Sequence, residues 1–125
     1  MALEPVEIVW MDAPEEHDYA AAHDYLTLHF DGDRVRKMVK KLRKGEIKER
    51  KAKDIIRASG LAVLPADNLH VASNLAKAHE GKKLSPILLV RTGEKLLIAD
   101  GYHRACAAYY ASEDTTVSCV LVNVD

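Results

Sequence analysis

The sequence predicts a mixed α/β (α+β) domain. Apolar residues recur at helical spacing in five stretches, whereas the run Ile87-Leu88-Leu89-Val90 is continuously apolar and bounded by turn residues. A turn at Thr92-Gly93-Glu94-Lys95 then joins that run to a second apolar stretch, which feeds directly into another helix. A length of 125 residues suits one domain, and an apolar fraction of 48% is ordinary for a globular protein.

Val6 to Met11, with Glu7 as its one charge, is expected to form a strand ended by Asp12-Ala13-Pro14. Tyr19, Ala22, Leu26 and Phe30 predict a helix over 15–30. Asp31-Gly32-Asp33 breaks it, and Asp33 is the expected N-cap of the next helix. There Val35, Met38, Val39 and Leu42 keep the i, i+3, i+4, i+7 rule, and Gly45 suits the end after a basic last turn. Residues 51–60 read as a short helix closed by Gly60, with a strand as the other reading of its first residues. Leu61 to Leu64 runs apolar into Pro65. Asn68 to Glu80 is a helix with Val71, Leu75 and Ala78 inward and Gly81 as its stop. Ser85-Pro86 introduces the buried strand 87–90, the hairpin turn and the partner strand 96–99. A helix over 102–110, a polar loop over 112–116 and a last strand over 117–124 follow.

The net charge of −1 hides an uneven spread. Arg34 to Lys53 holds eleven Lys or Arg and two acids, about +9, while the rest holds seven bases and seventeen acids, about −10. This basic segment reads either as the wet face of an amphipathic helix or as a groove for nucleic acid. It contains no aromatic residue, so it lacks the stacking platform of a single-strand binder. The longest apolar runs are too short to span a bilayer, so no membrane role is expected. Cys106 and Cys119 have no metal-type spacing around them and no secretory leader is seen, which makes a reducing cytoplasm the expected location. His17, His23 and His29 recur every six residues, a step of about 240° on a helix, so they share no face. A metal held by protein ligands alone is not expected.

Leu96 to Ala107 carries the most chemistry. A strand, a glycine turn and a helix opening with His103 and Arg104 form a corner suited to phosphate, because a helix start offers unpaired N–H groups and partial positive charge. An arginine there opposes the helix dipole by a few tenths to ~1 kcal/mol, which a nearby anion explains. The other reading is that Arg104 pairs with Asp100 and fastens the turn. Gly101 permits close approach. Tyr102 either stacks on a base or sugar or covers the turn. Cys106 is either a thiolate near the helix start or a small packing residue, and Cys119 alternates with Val117 and Leu121 as core.

Leu84 to Val90, Leu96 to Ala107 and the closing strand around Cys119 to Val122 resemble, in that order, the ParB/sulfiredoxin-like superfamily. The resemblance covers roughly residues 61–124 and implies a mixed sheet with an N-terminal helical cap over 1–60. Small bacterial proteins of unassigned role share that added cap. It further implies a nucleotide pocket in which Gly101 is the close-approach position, His103 and Arg104 are phosphate ligands, and Tyr102 lies alongside. Asp100 is implied to orient Arg104 or to hold Mg2+, and Lys53, Asp54 and Arg57 could close over the pocket from the cap. The ligand so implied is ATP or another nucleoside triphosphate with Mg2+. Tyr102 stands where sulfiredoxins carry a reactive cysteine, which argues against that repair chemistry. No helix-turn-helix module follows the turn before Asp125, in contrast to chromosome-partitioning relatives.

Three functions are therefore expected in order. The first is nucleotide or phosphate binding, with phosphotransfer or nucleoside-triphosphate hydrolysis as its reaction and no nameable general base. The second is a nucleic-acid-binding module or nuclease using the 34–53 segment. The third is a non-catalytic interaction domain whose cap contacts a protein partner. Oligomeric state is not readable from the sequence.

Overall fold

A computed structural model describes residues 6–124. Five helices and four strands follow one another as α1 (Glu16–Leu26), α2 (Gly32–Lys44), β1 (Lys48–Lys51), α3 (Ala52–Ser59), α4 (Leu69–His79), β2 (Ile87–Thr92), β3 (Lys95–Asp100), α5 (Tyr102–Ala111) and β4 (Thr116–Asn123). The strands form one mixed sheet in the order β1-β4-β2-β3, which makes the fold α+β. β2 and β4 run parallel at its centre, and the two outer pairings are antiparallel.

Side-chain alternation along β2 divides the core. Ile87 and Leu89 face one side with Ile55, Val71 and the Ala105–Ala108 run, under α3, α4 and α5. Leu88 and Val90 face the other side with Ala22, Leu26, Val35 and Leu42, under α1 and α2. The sheet is thus sandwiched between two helical layers. α1 and α2 form one of these layers, α3 joins the other, and β1 pairs with β4 along its whole length, so residues 6–60 are woven into the domain rather than set over it as a cap.

Several boundaries differ from expectation for identifiable reasons. Val6 to Met11 makes a single parallel bridge, Trp10 to Leu84, instead of a strand. Pro86, with no N–H to give, stops that ladder two residues later. The first helix is regular only to Leu26. The Thr27 hydroxyl donates to the Asp24 carbonyl at 2.6 Å, and the Leu28 N–H turns to Tyr25 instead. Asp31, not Asp33, caps α2, accepting from the Arg34 N–H at 3.0 Å. Residues before Ala52 are strand, which settles the alternative left open there. Gly45 ends α2 where any Cβ would run into Val120 Cγ1, so helix and sheet approach too closely for a larger residue. No helix among the described residues is long and apolar enough to cross a membrane.

Candidate functional site

β3 delivers Asp100 to the edge of the sheet, Gly101 reverses the chain, and α5 starts at Tyr102. Gly101 has φ +106°, a region that favours glycine, and a Cβ there would lie 2.9 Å from both Ile87 Cγ1 and Arg104 Nη2. The close approach at this glycine is therefore made by the protein's own side chains, which is why the turn needs it. No side chain caps α5, so the N–H groups of its first turn are left to other partners.

Arg104 is drawn back beneath the turn. Its Nη2 donates to Asp100 Oδ2 at 3.0 Å and to the Pro86 carbonyl at 3.3 Å, and lies 3.6 Å from Asp18 Oδ1. Among the described residues its Nε is the one buried side-chain nitrogen or oxygen without a hydrogen-bond partner. Asp18, only 1% exposed, reaches the site from α1 in the opposite helical layer. Its Oδ2 accepts from the Glu15 N–H at 2.8 Å, so the same carboxylate that closes the start of α1 also faces Arg104.

The two carboxyls titrate apart. Burial pushes Asp100 up to about 6, and the neighbouring Asp18 adds to that rise against the pull of Arg104. Burial also pushes Asp18 upward, but the Glu15 N–H, the Arg104 charge and hydrogen bonds from Asp100 and Ser85 outweigh it and hold Asp18 below its ordinary value. This geometry suits Asp100 to orienting Arg104. Its carboxyl is already bonded to the Arg104 guanidinium.

A polar cavity of about 220 Å³ opens beside the turn. Asp100, Gly101, His103 and Arg104 form one wall, and His70, Ser73, Asn74 and Lys77 of α4 form the other. The His70 and His103 rings stand 4.8 Å apart between centroids. Burial, then the adjacent His70 and Arg104, lowers the His103 pKa, so its imidazole is neutral near pH 7. Asn68 caps α4 by accepting from the His70 and Val71 N–H groups at 3.0 and 3.2 Å, which fixes where the histidine enters.

Other expected site residues fall elsewhere. The Tyr102 hydroxyl donates to the Ala62 carbonyl, so the ring covers the turn and pins the 61–64 segment, and it does not line the cavity. Lys53 pairs with Asp114 at 3.1 Å, and Asp54 and Arg57 line grooves beside β3, so none of the three closes over this cavity. Cys106 is fully buried, its thiol pushed up by burial, as expected of a packing residue. Glu15, His17 and Asp18 bring three ligand atoms within 4.8 Å, but Asp18 is committed to Glu15 and Arg104.

Sequence reasoning missed Asp18 and the α4 wall, although both left signals. Asp18, Ala22 and Leu26 step by four along the buried face of α1, which puts an acid at an inward position. His70, Ser73, Asn74 and Lys77 repeat at i, i+3, i+4, i+7, a polar stripe beside the apolar one. No family model, curated protein or solved structure matches the chain.

Proposed function

We propose that the cavity at the start of α5 binds the phosphate groups of a nucleoside triphosphate or a related phosphate ester. One observation carries this reading: uncapped helix-start N–H groups, His103 and Arg104 on one wall meet His70 and Lys77 on the other around a polar space. That is a cradle of N–H and imidazole groups with one cation, Lys77, that no described carboxylate holds, assembled from two helices. The resemblance of the Asp100–Arg104 turn to the ParB/sulfiredoxin-like class supports the same ligand.

The cavity is smaller than the ~300–1,000 Å³ of most small-molecule sites, so it suits the phosphates alone and leaves a nucleoside outside it. Arg104 contributes from a fixed position, since Asp100 and Pro86 already hold its Nη2. Mobile charge comes from Lys77 and from protonation of the His103 imidazole when a phosphate dianion enters. Mg2+ would arrive on the nucleotide, because the protein offers it no free carboxylate here. Phosphotransfer or hydrolysis would rest on electrostatic stabilisation of the transferred phosphoryl group.

A thermal-shift series with tripolyphosphate and with ATP, GTP, CTP and UTP, each with and without Mg2+, tests the reading. A ligand at about one hundred times its Kd stabilises by ~2.7 kcal/mol. The stabilisation should vanish in the double variant His103→Ala/Lys77→Ala. Equal shifts in wild type and variant, or none with any ligand, would remove the proposal.

A further inference from the structure

The sheet has two edges, and the chain treats them differently. β1 presents Lys48, Glu49, Arg50 and Lys51, all exposed and charged, which deters a strand from pairing there. β3, at the other edge, carries Leu96-Leu97-Ile98-Ala99 between its terminal charges. In a two-residue hairpin Thr92 and Lys95 form the hydrogen-bonded pair, and Val90 and Leu97 form the next one. The N–H and C=O groups of Leu96 and Ile98 therefore point away from β2. Among the described residues no backbone hydrogen bond from outside the sheet reaches them.

A groove of about 410 Å³ follows this edge. Tyr25 of α1 stands on one side, Arg57 to Leu61 at the end of α3 on the other, and residues 94–98 line it between them. The recess decides the occupant. An edge flanked by residues of α1 and of the end of α3 fits one extended chain, and the cations on its walls decide which chemistry that chain carries. We infer that β3 is a docking edge for an extended segment of a partner protein, which adds as a fifth strand. Arg57 and Lys95 are exposed and make no ion pair among the described residues, while Glu94 is the one acid lining the groove. Leu61 and Tyr25 supply apolar contact. The segment that fits alternates apolar with acidic residues.

Selection of a displayed library of random ten-residue peptides against the full chain tests this. Enriched peptides should alternate apolar and acidic residues. Adding one should slow exchange of the Leu96 and Ile98 amides by about tenfold or more. Arg57→Glu should weaken binding by roughly fivefold without moving the melting temperature. The same peptide, N-methylated at the amides that would pair, should not bind. The inference is overturned if no peptide is enriched, or if binders leave both amides exchanging at the free rate. Protection of those amides in concentrated protein without peptide would overturn it too, and would assign the edge to a second copy.

Discussion

Arg104 is held by two acids from different layers, and that arrangement dictates how the site responds to pH. Asp100 has its pKa raised by burial, so its proton favours the folded state. The resulting stabilisation is complete below the unfolded value near 4 and is lost as pH rises through about 6. Asp18 has the opposite sign: its contribution is present above pH 4 and disappears as the acid range is entered. Between pH 4.5 and 6.5 Asp100 alone of the two acids titrates, and its share of urea-unfolding stability should fall by on the order of 2 kcal/mol, against a smaller rise from His103, whose pKa the fold lowers. Asp100→Asn, which fixes the neutral form, should flatten that part of the profile, and an unchanged slope would contradict the assignment. Gly101→Ala faces both a positive φ and two contacts at 2.9 Å, so it should destabilise by about 2 kcal/mol or more in the same measurement.

α4 converts a capped, amphipathic helix into half of a binding site. Val71 and Ala78 hold it to the core, so its outward residues are free to change without unfolding the chain. Lys77→Ala should weaken tripolyphosphate binding by roughly tenfold while leaving the urea midpoint unmoved. Asn68→Ala, by contrast, should cost ~1 kcal/mol of stability, because it removes the acceptor for two N–H groups. His103 adds a pH signature: an anion raises its lowered pKa, so binding takes up a proton and tightens as pH falls from 8 to 6. Calorimetry in buffers of different ionisation heat would read that uptake directly. Much of this element was legible in the sequence, since the helix, its glycine stop and its inward face follow from local pattern. So were the β2–β3 hairpin, the uncapped glycine start of α5 and the burial of Cys106 and Cys119. What was not legible depends on packing across the sheet. Nothing near Asp18 in sequence says that α1 will lie over the Arg104 turn, and nothing near His70 says that its ring will stand 4.8 Å from that of His103. The short bridge at Trp10 was missed for the same reason: apolar residues permit a strand, but the partner segment, broken by Pro86, decides its length.

Taken across the molecule, the charge asymmetry and the phosphate cavity belong to different faces. α2 packs with α1 on one side of the sheet, and the cavity lies between α4 and α5 on the other. Much of the basic segment is also engaged within the chain. Arg43 bonds Glu16 at 2.9 Å and lies over the Tyr19 ring, Arg36 pairs with Asp33, Lys48 with Glu46, and Lys51 and Lys53 with Asp114. Such exposed pairs stabilise little, but each reduces the positive potential that a polyanion would meet. Lys37, Lys40 and Lys44 on α2 remain as the exposed row. The triple substitution Lys37→Glu/Lys40→Glu/Lys44→Glu separates the two surfaces. It should abolish any salt-sensitive binding of a DNA duplex, whose affinity otherwise falls steeply with ionic strength. It should leave stabilisation by tripolyphosphate at moderate salt unchanged, because these lysines are across the sheet from His103 and Lys77. If both responses disappear together, one continuous polyanion surface replaces the two-surface description, and the nucleic-acid reading displaces the nucleotide one.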